Sequence, residues 1–345
     1  MKPKLIIDDA IPFLDGRLEP HFDCRYMPGE DIKRQDLRDA DGLLVRTRTK
    51  CNAELLEGTS VKFVATGTIG IDHIDTGWCD ANGITWLNAP GCNAPAVAQY
   101  VFRALLELGM PLDCLDLPEE RRPVLGVVGK GHVGGLVTDW GRRLGLNVIV
   151  SDPPRAARGL DDENYLPLSD LMARADAVTF HTPMIKEDTA DMKSTLHLAD
   201  DRHLRMLRDG AILINAARGG IVDEAALLEI APVRNLRLAI DTWEGEPDIN
   251  TETMKAARIA TFHIAGYSRQ GKERATRAIL SGLEEHFGVT LHISDLSAPY
   301  TPSEHLSESA LRDSYDIMTD DYMMRHHYEE FEHMRNSYPL REEVK

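Results

Sequence analysis

Arg218 in INAARGGIVDE, Glu246 in DTWEGEP and His263 in TFHIAGYS stand far apart in a chain of 345 residues. Each follows a short apolar run that reads as a buried strand. Ligands of open α/β sheets bind outside the carboxyl ends of the strands, so one crevice is expected to receive all three side chains. An Arg holds a substrate carboxylate through two parallel hydrogen bonds. A His takes or gives a hydroxyl proton, and a Glu beside it keeps the imidazole basic and oriented. Together the three suit hydride transfer at a hydroxy acid.

Hydride transfer needs a carrier, and the stretch GVVGKGHVGGLVTDWGRRLGLNVIVSD supplies a place for one. It holds G-x-G-x-x-G as Gly129, Gly131 and Gly134, with His132 and Val133 between the last two, after a strand and at the start of a helix. Such glycines allow a tight turn, backbone approach to a pyrophosphate and close packing of helix on strand, while the helix N-terminus attracts the anion. A second strand, NVIVS, ends in Asp152, about 20 residues on, where a carboxylate accepts from a ribose 2′-hydroxyl and repels a 2′-phosphate. NAD is therefore expected over NADP.

Other strand ends add candidates. Thr182 in AVTFHTP and Asp241 in AIDTW are placed to hydrogen-bond the cofactor; an ordinary loop threonine and a helix-capping aspartate are the plainer alternatives. Arg46 and Thr47 in LLVRTRTKCN, with Thr68 in FVATGTIGIDHID, suit a phosphate or carboxylate, unless Arg46 to Lys50 is simply a solvated basic loop. Thirteen histidines give any one of them poor odds, and no H-E-x-x-H or similar metal-ligand spacing occurs, so no metal is expected.

These residues require strands alternating with helices. KLIID, GLLVR, FVATG and ITWLN open a parallel α/β series, and Pro95 to Leu108 reads as a helix closing the first unit. A polar connection, DCLDLPEERRP, leads into a second series running to IATFH, and an amphipathic helix over about Arg269 to Phe287 follows. The predicted fold is α/β: two Rossmann-like domains with parallel sheets separated by a cleft, and a small C-terminal region. Residues 1–98 and 264–287 form the first domain, 99–263 the cofactor domain and 288–345 the C-terminal region.

The 39 Lys and Arg against 56 Asp and Glu give a formal charge of -17 and a pI near 5.2. That balance opposes nucleic acid or an anionic membrane as partner, and obliges an anionic substrate to find a locally basic pocket. Cys24, Cys51, Cys79, Cys92 and Cys114 are scattered and odd in number, which suits reduced thiols in a cytoplasmic protein. The N-terminal apolar stretch is too short for a signal peptide, and no run approaches the ~18 apolar residues of a membrane span.

The array GVVGKGHVGG, TFHTP, INAARGGIVDE, DTWEGEP and HIAG resembles, in order and spacing, the NAD-dependent D-2-hydroxyacid dehydrogenase family, from about Val61 to Leu283. LLVRTRTK, TGTIGIDHID, NAPGCNA, SDPPRAARG, STLHLAD and HIAGYS, with YDIMTDD and FEHMRNSYPLREE in the tail, extend the likeness to the branch that acts on a phosphorylated four-carbon 2-hydroxy acid. The resemblance implies that Arg218 binds substrate, that Glu246 supports the histidine and that His263 exchanges the proton. It implies that Asp152, Thr182, Asp241 and Gly266 bind NAD, that Thr47, Thr68 and Tyr267 bind substrate, and that the tail makes a homodimer. Thr47 stands where the family has Ser, Lys130 and His132 are less usual in the glycine loop, and the tail is short. The alternatives are the same chemistry on another acid, such as phosphoglycerate or an unphosphorylated one, and an NAD-sensing corepressor or scaffold on this fold.

Overall fold

The computed structural model describes residues 2–189, 192–301 and 305–344. The chain divides into two compact units, one of Met1–Asn93 with Ser268–Thr301 and the other of Ala94–Tyr267 with Pro302–Lys345. No helix among the described residues is long and apolar enough to cross a membrane.

The first unit is built on β1 (Lys4–Asp8), β2 (Asp23–Met27), β3 (Gly42–Val45), β4 (Phe63–Thr66) and β5 (Thr85–Leu87), in the order β2-β1-β3-β4-β5. All its pairings are parallel. Alternate residues bury on opposite faces, as the two-residue period of a strand dictates. Leu5, Ile7, Leu44 and Ala65 join one core; Ile6, Leu43, Val45 and Val64 join the other. The helix Arg269–Phe287 adds Ile279, Leu280 and Leu283 to the first of these cores. Ser268 caps that helix by accepting from the Gly271 N–H, and Gly288 ends it at φ 67°. This is the returning helix expected from the sequence. The strand order reverses at β1 and β3, whose carboxyl ends carry Asp8 and Arg46.

The second unit holds β6 (Val124–Val128), β7 (Asn147–Ser151), β8 (Ala177–Phe180), β9 (Ile212–Asn215), β10 (Arg237–Ile240) and β11 (Ile259–Ala260), in the order β11-β10-β9-β8-β6-β7. These pairings are again all parallel. The reversal falls at β6, so its carboxyl end is the place where such folds bind ligands. The helix Ala94–Glu107, read as closing the first unit and cut by the expected boundary at residue 98, belongs entirely to the second unit, where the Phe102 and Trp140 ring centroids lie 5.8 Å apart. Its burial on nearly every side explains why a one-face pattern read from sequence misplaced it.

The tail does not stand as one separate region. Residues 288–301 go with the first unit, and the helices Glu308–Ser314, Ile317–His327 and Phe331–Asn336 pack within the second. Pro302, Ser303, Glu304 and Lys345 lie outside the described residues. Ile317, Met324 and Phe331 are buried, and Asp321 accepts the Ala260 N–H of β11 at 2.8 Å. A helix thus covers the sheet edge and satisfies one of its donors, which is how edges are kept from pairing with other chains. Much of the apolar content of this tail is therefore buried within the chain itself.

Candidate active site

Three adjacent strands, β9, β10 and β11, deliver Arg218, Glu246 and His263 on the loops after their carboxyl ends. Asn215, the last residue of β9, shapes the first loop. Its Nδ2 donates to the Arg218 carbonyl at 3.0 Å and its Oδ1 accepts from the Ala217 N–H. Arg218 Nη1 donates to the Ala217 carbonyl at 2.8 Å, which folds the side chain back along its own turn. A Cβ at Gly219 would fall 1.8 Å from the Trp243 carbonyl oxygen, so the Arg218 loop and the loop after β10 lie backbone against backbone. Only glycine permits that approach.

In the second loop the Trp243 N–H donates to Glu246 Oε1 at 2.9 Å, and the Glu246–Pro247 peptide is cis. The other carboxylate oxygen, Oε2, pairs with His263 Nδ1 at 2.8 Å. Burial pushes the Glu246 carboxyl up, but the His263 charge and hydrogen bond, the Trp243 N–H and Arg335 together hold it below the usual range. It is an acceptor, so the proton on the pair sits on Nδ1 and leaves the Nε2 lone pair outward. The exposures, 26 % for the histidine side chain and 18 % for the glutamate, fit a base that meets substrate and a support that does not.

His263 takes φ 60°, a conformation L side chains rarely adopt. Asp241, 1 % exposed, holds the turn: its Oδ1 accepts from Thr261 Oγ1 and from the Ile264 N–H, and its Oδ2 from the Ala265 N–H. The carboxylate expected at the cofactor is thus engaged by three donors of the histidine loop. Gly266 and Tyr267 continue that loop, the Tyr267 N–H donating to the Ile264 carbonyl.

The glycine loop follows β6. Gly129 has φ 88°, and a Cβ there would meet the His181 carbonyl oxygen at 2.8 Å; one at Gly134 would meet the Gly129 carbonyl oxygen at 1.8 Å. At Gly131 it would meet nothing within 4 Å, leaving that backbone open to a ligand. The helix His132–Arg143 has no side-chain cap at Gly131, so its first N–H groups remain for an anion. Val133 is half-buried behind the exposed His132. Asp152 receives the Lys130 N–H on Oδ2 at 2.7 Å and the Arg155 N–H on Oδ1 at 3.0 Å, which fixes it beside the loop with lone pairs to spare. Lys130 Nζ pairs with Glu163 at 2.7 Å and Asp161 at 3.1 Å. Thr182 Oγ1 is buried with no partner, the kind of group a bound ligand satisfies. These residues fit a dinucleotide.

The remaining candidates lie in the first unit. The Arg46 N–H donates to Asp8 Oδ2 at 3.2 Å, and its Nη1 to the Ala10 carbonyl at 3.3 Å. Thr47 is exposed, while Thr68 Oγ1 donates to the Gly70 carbonyl at 2.9 Å and meets Thr66 Oγ1, which contacts His73 Nε2. Burial pushes the His73 imidazole below its ordinary value. Sequence reading missed Asn215, Asp8 and His73. Asn215 and Asp8 close strands and His73 sits in the TGTIGIDHID loop, so position was the available signal.

Residues 115–265 match the family model described as D-isomer specific 2-hydroxyacid dehydrogenase, NAD binding domain. The chain is 39 % identical over 350 residues to the erythronate-4-phosphate dehydrogenase of Bacteroides fragilis, covering 99 % of this chain and 97 % of that one. It is 40 % identical over 351 residues to the enzyme of that name from Bacteroides thetaiotaomicron, with the same coverage. Among solved structures, D-lactate dehydrogenase from Aquifex aeolicus, complexed with NAD and lactic acid, superposes with a TM-score of 0.65 at 25 % identity, over 87 % of this chain and all of the other. The expected resemblance holds, and the cofactor is NAD: this chain belongs to the D-2-hydroxyacid dehydrogenase family and, within it, to the group of erythronate-4-phosphate dehydrogenases.

Proposed function

We propose that the chain oxidises 4-phospho-D-erythronate at C2 to 3-hydroxy-2-oxo-4-phosphooxybutanoate, a step toward pyridoxal 5′-phosphate. The likeness at 39–40 % identity across nearly the full chain to relatives named for that substrate carries this reading. NAD, when bound, accepts the hydride. His263 Nε2 takes the C2 hydroxyl proton as the carbonyl forms, and Glu246 stabilises the imidazolium across its 2.8 Å contact. Arg218 binds the carboxylate and polarises the forming carbonyl. Arg46, Thr47, Thr68 and Tyr267 recognise the rest of the substrate, with Arg46 at its phosphate. The glycine loop, Asp152, Thr182 and Gly266 hold the cofactor. The five unbridged cysteines accord with a cytoplasmic setting, and a homodimer follows from the family likeness.

Turnover with NAD should be compared for 4-phospho-D-erythronate, unphosphorylated erythronate, 3-phosphoglycerate and D-lactate. The highest kcat/KM is expected for the first. A better rate with any other acid reassigns the substrate, and binding of NAD without turnover of any favours a sensor.

A further inference from the structure

We infer that Arg341, from the end of the tail, is a positioning residue for His263; this rests on His263 being the base proposed above. The histidine occupies a left-handed backbone conformation, and such a residue keeps it only where the surroundings over-determine the turn. Asp241 takes the N–H groups of Ile264 and Ala265. Arg341 takes the carbonyls of the same two residues, donating from Nη1 to Ile264 at 3.0 Å and from Nη2 to Ala265. The two residues after the histidine are thus held by their N–H groups on one side chain and by their carbonyls on another, 100 positions later in sequence, with the Ile264–Ala265 peptide gripped on both its groups.

Arg341 is itself fixed from several directions. Its Nη2 also donates to the Ala96 carbonyl at 3.1 Å, and its guanidinium lies 4.4 Å from the Tyr315 ring centroid. Asp320 accepts from the hydroxyls of Tyr315 and Tyr338, so the aromatic walls beside the arginine are held as well. A second tail arginine, Arg335, hydrogen-bonds Tyr267 and adds its charge near Glu246. A planar fork on two adjacent carbonyls is a geometry that lysine does not reproduce. The tail therefore sets the angle at which the imidazole meets Glu246 and the substrate.

The test compares Arg341→Met and Arg341→Lys with Arg325→Met. Arg325 also ties a tail helix to the rest of its unit, through the Met254 and Ala257 carbonyls at the end of the helix Thr251–Ala256, but touches nothing in the histidine loop. Two readouts are taken: kcat and KM, and the imidazole N–H proton resonance of the protein alone, assigned to His263 by its loss in His263→Ala. Arg341→Met is expected to lower kcat roughly 10–100-fold, the scale of a misplaced catalytic group, with a smaller change in KM for NAD, and to erase or shift the Nδ1–H signal. Arg341→Lys is expected to fall between it and the unmodified protein, and it decides the matter if Arg341→Met does not fold. Arg325→Met should keep both the signal and kcat. Unchanged kcat and resonance in a folded Arg341 variant overturn the inference, as does an equal kcat loss in Arg325→Met. Should His263→Ala retain turnover, the assignment of the base fails instead, while the resonance still reports on Arg341.

Discussion

His263 and Glu246 make a pair whose proton bookkeeping is fixed by geometry. Glu246 is held below the usual carboxylate range, so it stays ionised and keeps accepting from the imidazole, the proposed base. Oxidation needs the neutral form; kcat/KM for oxidation should therefore fall as pH falls. Glu246→Gln removes the anion that orients the imidazole and stabilises it once it has taken the proton, so the rate should drop. His263→Ala should lose this acidic limb and roughly 10²–10⁴-fold of turnover. A limb that survives in His263→Ala with near-normal rates assigns the proton transfer to another group. Asp152 bears a second prediction at this scale. It caps the helix Pro153–Arg158 in addition to the ribose contact proposed for it, so Asp152→Ser, which keeps a capping oxygen, is the cleaner variant. The ratio of kcat/KM for NAD to that for NADP should shrink in it, and equal ratios in variant and parent remove Asp152 from cofactor choice.

Among elements, the glycine loop separates two functions that its sequence pattern merges. Gly134→Ala drives a Cβ against the Gly129 carbonyl, which is backbone and cannot swing away, so both melting temperature and NAD binding should fall. Gly131→Ala meets no protein atom within 4 Å, so its melting temperature should hold while NAD affinity weakens roughly tenfold or more, about 1.4 kcal/mol. Thermal melts and NAD titration of the two variants check the contrast; a destabilised Gly131→Ala contradicts it. The loop, its strand and the acid at the next strand end were legible in sequence because their spacing is local. The strand ends carrying Arg218, Glu246 and His263 were legible because parallel strands read as short apolar runs. Asp241 reaching across to the histidine loop was not, since nothing in AIDTW says which donors a buried carboxylate will meet. The helix Ala94–Glu107 was recognised as a helix, but the expected domain boundary at residue 98 cut through it, for local periodicity carries no information about partners.

At the scale of the whole molecule, the tail is where sequence and structure part most. The family resemblance implied a dimer contact in the tail from residue 288 on, yet Met324 and Phe331 are buried and Arg341 reaches the histidine loop, contacts too distant in sequence to leave a pattern. Truncating the tail is consequently a poor test of assembly, because it uncovers the β11 edge and frees the histidine loop at once. Among the tail's described residues, the large apolar side chains left outward are Met318 at 37 % exposure and Tyr322 at 58 %, one turn apart on the helix Ile317–His327. Paired substitution of these two by Glu adds charge to that face without touching the buried side. If the family likeness extends to assembly, light scattering should give twice the 38.5 kDa chain mass for the unmodified protein and the single mass for the pair variant, with its melting temperature preserved. A dimer that persists in the variant moves the contact off this helix, and a monomeric parent ends the homodimer proposal.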